Sequence, residues 1–184
     1  MIGNDIIDLK LAKKESNYLR LGFLEKQFSL NEQALILSSS NSFLLVWRLW
    51  SMKEAAYKVY TQQNKTRFFA PKKFYCKIGS DSNGFVNYKN KLFYTSTEIN
   101  HKYIFTLASS NEKTKAFSQI VNPNFLDKTI KNKLEDETEF SSKGIIKKKL
   151  ENGVPLYFHK NTLLTKSCSI SHHGNYGVFT IILN

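Results

Sequence analysis

The stretch WSMKEAAYK, residues 50–58, sets Glu54 between Lys53 and Lys58 inside an apolar, aromatic-rich run. On a helix turning about 100° per residue, Glu54 and Lys58 share one face, opposite Leu45. A Glu four residues before a Lys supports a helix by about 0.2–0.5 kcal/mol, and most such pairs are solvated decoration. Trp47 and Trp50 flank that same face, however, and two tryptophans are costly to leave in water. A carboxylate on a covered face needs a partner or a cation. Two further features could carry chemistry. Asp5 lies in the isoleucine-rich IGNDIID, residues 2–8, where acids are depleted if the segment is a strand. Its bland reading is a strand end or turn. His172 and His173 are neighbours that do not share a helical face, so they are not a zinc-type pair, and their bland reading is a surface turn.

The elements that must position these residues can be read from pattern. Residues 2–9 predict a short strand, β-branched and with Gly3 near its start. Ser29 followed by Glu32 is a capping box, which predicts a helix starting near Leu30 and broken by SSSNS, residues 38–42. Residues 44–60 predict the strongest helix, with Leu45, Leu49, Met52, Ala56 and Val59 forming one apolar stripe. From 68 to 108 the period changes to two. Strands are predicted over 72–79, 84–88, 91–97 and 102–109, with turns at 79–84 and 88–91. Residues 111–150 are polar and lysine-rich, with one weak helical pattern at 125–137, and the run Lys147–Lys149 reads as a solvated face. The chain closes with NGVPLYF and then SCSISHHGNYGVFTIIL, a strand, a His-His-Gly-Asn turn and a last buried strand.

A length of 184 residues predicts one domain over 1–184 with a core of its own. The net charge of +12 is uneven: residues 1–60 carry eight Lys/Arg against six Asp/Glu, the remainder nineteen against nine. That field favours nucleic acid, an anionic membrane surface, a phosphorylated small molecule or an acidic protein. Two isolated cysteines, Cys76 and Cys168, argue against a disulfide framework or zinc ribbon and for a reducing, cytoplasmic setting. The acidic, non-cationic N-terminus is no signal peptide, and no apolar run approaches the roughly 20 residues of a bilayer span. The expectation is a soluble protein without a membrane partner.

Four blocks in order resemble the 4′-phosphopantetheinyl transferases: Ile2-Gly3-Asn4-Asp5 with Asp8, the segment from Trp50 through Lys58, Gly153-Val154-Pro155, and Ser169-Ile170-Ser171-His172. The resemblance covers residues 2–58 and 152–183, and FLEKQFSLNEQ is similar to the family's linker. The Ser-x-Ser-His block follows KEA, as in the small holo-acyl-carrier-protein synthase type. Asp8, rather than a second acid at position 7, also fits that type. The chain departs from it in an insertion over roughly 68–150 and in VYTQQNKTR, residues 59–67, where the family often has a glycine-containing stretch. The resemblance implies an α+β 4′-phosphopantetheinyl transferase-like fold: a small antiparallel-rich sheet packed against the KEA helix, with an inserted β-rich segment.

The resemblance also implies transfer of phosphopantetheine from coenzyme A to a serine of an apo acyl or peptidyl carrier protein, with Mg²⁺ and release of 3′,5′-ADP, as in fatty acid biosynthesis. Asp5 and Glu54 become the metal carboxylates, and Glu54 or a water held by Asp5 the general base. Lys58 becomes the pyrophosphate contact and His172 the contact to the nucleotide end of coenzyme A; Asp8 is a weaker candidate. Lys10, Lys13, Lys14 and Arg20 could steer an acidic carrier protein. A small-type enzyme would be a trimer with its pocket between subunits. Two alternatives stand beside this reading. One is a basic nucleic-acid-binding module using strand aromatics such as Phe74, Phe85 and Tyr94, although no nucleic acid is expected on the first reading. The other is a family member that binds coenzyme A or carrier protein without turnover.

Overall fold

The computed structural model describes residues 1–64, 67–80 and 82–184. β1 (Ile2–Asp8) leads into α1 (Leu9–Glu15), α2 (Phe23–Gln27), α3 (Leu30–Ser38) and the long α4 (Ser42–Asn64). Then come β2 (Tyr75–Ile78), β3 (Asn83–Tyr88), β4 (Lys91–Ile99) and β5 (Tyr103–Ser109). The C-terminal part holds β6 (Phe117–Val121), α5 (Leu126–Glu137), β7 (Ile145–Lys149), β8 (Pro155–His159), β9 (Thr162–Leu163), β10 (Thr165–His173) and β11 (Tyr176–Leu183). The strands of the described residues form three antiparallel sheets, in the orders β1-β5-β4-β3-β2, β10-β11-β6 and β7-β8-β9. The fold is α+β, as the sequence predicts.

Local chemistry explains the boundaries. The capping box forms as read: Ser29 Oγ accepts from the Glu32 amide, and Glu32 Oε2 accepts from the Ser29 amide at 2.8 Å. α4 begins two residues before the predicted start, because Asn41 Oδ1 accepts from the Leu44 amide and supports the first turn. Its stripe packs on the five-stranded sheet, with Leu49, Met52, Ala56 and Val59 fully buried. Val46, Trp47, Lys53 and Ala55 are buried too, so α4 is enclosed on most of its circumference rather than along one stripe. The β3–β4 hairpin turns through Lys89 and Asn90, both with positive φ, the primed geometry that suits strand twist. Part of the 79–84 turn, Asp81, lies outside the described residues, as do Lys65 and Thr66 of the 59–67 segment.

A second core gathers under α5, where Ile130 and Leu134 meet Tyr157, Cys168 and Phe179. Here the structure corrects the sequence reading. Phe117–Val121 and Ile145–Lys149 are strands, and the lysine run is the greater part of β7, with Lys148 and Lys149 exposed as a solvated face requires. Lys147 Nζ lies 3.5 Å from Asp127, and Lys148 lies over the Phe158 ring. His172 and His173 belong to β10, and the turn is Gly174-Asn175. No helix among the described residues is long and apolar enough to cross a membrane.

Candidate active site

The site begins with a glycine. A Cβ on Gly3 would stand 2.1 Å from the Ala55 carbonyl oxygen and 3.0 Å from Lys58 Cβ. Only a residue without a side chain lets β1 lie this close against α4. That contact brings Asp5, two residues along the strand, to the helix face that carries Glu54 and Lys58. The Asp5 side chain is 14% exposed, and Lys58 Nζ lies 3.9 Å from its Oδ1. Its other oxygen, Oδ2, is buried without a hydrogen-bond partner among the described residues. The Ser51 hydroxyl neighbours this carboxyl without the geometry of a full hydrogen bond and is likewise buried and unpartnered.

Electrostatics follow from that crowding. Burial pushes the Asp5 carboxyl up to about 7, the Lys58 ammonium pulls it back, and the charge of Glu54 adds to the rise. Burial also raises the Glu54 carboxyl, against the pull of Lys58. Asp5 and Glu54 are two carboxyls that each disfavour ionisation, one with an orphaned oxygen, and are hard oxygen donors of the kind a divalent cation takes. No cluster of three or more His, Cys, Asp or Glu is present among the described residues. Asp5 and Glu54 are donors of the type Mg²⁺ takes, since it uses one or two carboxylates and fills its remaining positions with water and substrate oxygens.

The ordinary Glu54–Lys58 surface pair is not what Lys58 makes. Its ammonium donates to the Asn4 carbonyl at 2.7 Å and to Ser171 Oγ at 2.5 Å, reaching across β1 to β10. This contact belongs to a wider joint. β1 and β10 are edge strands of different sheets, and side chains rather than a backbone ladder join them. The Ile2 amide donates to Ser167 Oγ, the Asn4 amide to Ser169 Oγ and the Asp8 amide to His173 Nδ1. Alternation along β10 explains the serine spacing: Ser167, Ser169, Ser171 and His173 all face β1. His172 points the other way and is exposed. Asp8 fastens the far end of the joint. Its Oδ1 caps α1 through the amides of Lys10 and Leu11, and its Oδ2 accepts from the Asn175 amide. Burial alone would raise the Asp8 carboxyl, but those three amides and His173 hold it below the ordinary value.

Beside Lys58 a cleft of about 170 Å³ opens between α4 and the Gly153-Val154-Pro155 loop. Gly153 takes φ +81°, and Asn152 ties the loop to α4 by donating to the Thr61 carbonyl at 3.0 Å. The cleft also takes in Tyr57, Gln62 and Arg67, whose guanidinium packs against Gly153. A larger groove of about 820 Å³ runs along α1, lined by Lys10, Lys13, Lys14, Tyr18, Phe43 and His101. Arg20 lies outside it, over the Phe23 ring.

The structure thus gathers Asp5, Glu54 and Lys58 at one strand–helix contact and sets Asp8 and His173 at the end of the same joint. Sequence reasoning left three residues unassigned: Arg67, Asn4 and Lys53. Lys53 is fully buried; its ammonium lies 2.9 Å from Glu32 Oε2 and donates to the carbonyls of Pro71 and Phe74. Helical spacing held the signal, since Lys53 lies four residues after Leu49 and three before Ala56, inside the apolar stripe. Of the aromatics considered for base stacking, Phe74 is fully buried and stacked on Tyr88, so it offers no face to a base.

Comparison with known proteins matches the chain to a family model and to solved structures. Helicobacter pylori holo-[acyl-carrier-protein] synthase in complex with coenzyme A aligns over 100% of this chain and 100% of that one, at 17% identity and a TM-score of 0.27. A search of curated proteins gives no match. The model of the 4′-phosphopantetheinyl transferase superfamily matches residues 1–117, which span β1, α4 and the whole five-stranded sheet. With the larger part of its length matched, the chain belongs to the 4′-phosphopantetheinyl transferase superfamily.

Proposed function

We propose that this protein transfers the 4′-phosphopantetheine group of coenzyme A to a serine hydroxyl of an apo carrier protein, releasing 3′,5′-ADP, as a holo-acyl-carrier-protein synthase. The observation that carries this reading is the close Gly3–Ala55 contact, which sets Asp5, its Oδ2 buried and unpartnered, beside Lys58 and within the influence of the Glu54 charge. Asp5 and Glu54 would hold Mg²⁺, which when bound supplies charge neutralisation at the pyrophosphate. Lys58 adds a fixed positive charge on the cleft side, and Arg67 a second one near Gly153, both suited to phosphate oxygens. The serine oxygen attacks phosphorus in line, and its proton must go to a base. A carboxylate oxygen of Glu54, which burial makes more basic than usual, is suited to receive it, directly or through a water on Asp5. His172, exposed on β10, is available to the nucleotide end of coenzyme A.

The basic groove along α1 adjoins the end of β1 and suits an acidic carrier protein, whose encounter would be steered by Lys10, Lys13 and Lys14. Because β10 closes on β1 within the same chain, Asp5, Lys58 and its Ser171 brace come from one chain on this reading. The reading also sets the reaction in the cytoplasm, where coenzyme A and carrier proteins occur together. The test is incubation with coenzyme A, Mg²⁺ and a panel of apo carrier proteins, followed by mass spectrometry. Transfer to one serine supports the reading; tight coenzyme A binding with no transfer to any carrier would instead make this a non-catalytic family member.

A further inference from the structure

Asn4 occupies the unspecified position of the Ile-Gly-x-Asp block, and nothing in the spacing of that block requires an amide there. In the folded chain it is fully buried at the joint between β1, β10 and β11. All four of its side-chain hydrogen-bonding positions are used. Nδ2 donates to the Ser169 carbonyl and to Thr180 Oγ1, each at 2.9 Å. Oδ1 accepts from Ser169 Oγ and from Ser171 Oγ, each at 2.9 Å. Its backbone takes part as well: the carbonyl accepts from Ser171 Oγ at 2.8 Å and from Lys58 Nζ at 2.7 Å.

An aliphatic residue could fill a strand–strand joint, and a buried amide costs free energy unless every group is matched. Here the matching has a direction. Ser171 has one hydroxyl proton, and Asn4 draws it towards its Oδ1 and carbonyl, which turns a lone pair of Ser171 Oγ to the Lys58 ammonium. Asn4 and Ser171 together engage two of the three ammonium protons. The third is left for the side where Asp5 lies at 3.9 Å and the cleft opens. A lysine side chain is otherwise flexible and loses much rotamer entropy when it binds.

We infer that Asn4 is a positioning residue whose side-chain amide orients Ser171 and so aims the Lys58 ammonium into the cleft. The inference rests on the reading of Lys58 as the cation that meets a phosphate, and it makes Ser171 a brace for that lysine. Its test separates the clamp from the reaction. Slowly exchanging lysine ammonium groups give ¹⁵N–¹H correlations in NMR, and in the wild-type protein Lys53 and Lys58 should both do so, Lys58 being identified by loss of its signal in Lys58→Met. In Ser171→Ala and Asn4→Leu the Lys58 signal should vanish while that of Lys53, bound elsewhere, persists. If Asn4→Leu loses both signals it has unfolded, and Ser171→Ala, which removes one hydroxyl, decides alone. A Lys58 signal of full intensity in Ser171→Ala, or none in the wild type, overturns the clamp. Calorimetric titration with coenzyme A should then show affinity about tenfold weaker in Ser171→Ala than in the wild type, with no further loss when Ser171→Ala is added to Lys58→Met. Equal affinity in Ser171→Ala, or losses that simply add, overturns the positioning role. A wild-type protein that binds no coenzyme A refutes the proposed function, whereas the ammonium signals still decide the clamp.

Discussion

Lys53 and Lys58 stand five residues apart on one helix and serve opposite ends. Lys53 is fully buried with its three ammonium protons turned to Glu32, the Pro71 carbonyl and the Phe74 carbonyl. Glu32 is equally committed: it closes the capping box with Ser29 and accepts from the Cys76 amide at 2.8 Å. Lys58 is 28% exposed, is braced by Asn4 and Ser171, and keeps part of its capacity facing a carboxyl and a cleft. A cation whose bonds are all closed inside the chain locks α3 and β2 to α4, whereas one left incompletely paired beside an unpartnered carboxylate oxygen has room for a ligand. The difference lies in the accounting of donors, and the KEA segment carries one residue of each kind.

The largest expected effect breaks the closed side of this comparison. Lys53→Met strands the buried Glu32 carboxylate and should cost about 3–5 kcal/mol of unfolding free energy, read by urea denaturation. A loss near zero would mean that Glu32 is satisfied without it. On the open side, burial raises the Asp5 carboxyl from its ordinary 3.8 to about 7 in the folded chain. The unfolded chain therefore binds fewer protons between those values, so metal-free stability should fall as pH rises from about 4 to 7, by on the order of a few kcal/mol. Added Mg²⁺ should accordingly raise the melting temperature more at pH 8 than at pH 5. Equal shifts at both pH values would argue against a metal held by this carboxyl.

Gly3→Ala tests the contact that sets the two acids together. A methyl group 2.1 Å from the Ala55 oxygen must push β1 from α4, at about 1–3 kcal/mol, and should weaken Mg²⁺ binding along with stability. The smallest stability effect sharpens the comparison most. Lys58→Met should cost only about 1 kcal/mol in unfolding while severely impairing transfer, the reverse of a structural lysine.

Much of this was legible in the sequence, and the parts that were not have physical reasons. β1, the Ser29 capping box and α4 carried strong local signals, because periodicity and capping act over a few residues. Motif spacing singled out Asp5, Glu54 and Lys58, but not the approach that brings Asp5 to Lys58, because it depends on a glycine whose role is to have no side chain. β7 was missed because three consecutive lysines hide alternation, and on an edge strand such charges are tolerated and guard against further pairing. β10 was read as a strand, but its partner was not legible, because its serine hydroxyls serve the edge of a strand that lies 160 residues and more away in sequence. Lys53 stood in plain view within the apolar stripe, and its counter-ion was already named as a helix cap, but no local rule links a cap to a helix that follows it.

The most direct measurement of the central claim is mass spectrometry of an apo carrier protein after incubation with coenzyme A, Mg²⁺ and either wild-type protein or Glu54→Gln. The account predicts one phosphopantetheine on one serine with the wild type, and none with a Glu54→Gln variant whose circular dichroism and melting curve match the wild type. Full transfer by Glu54→Gln would contradict the assignment of Glu54.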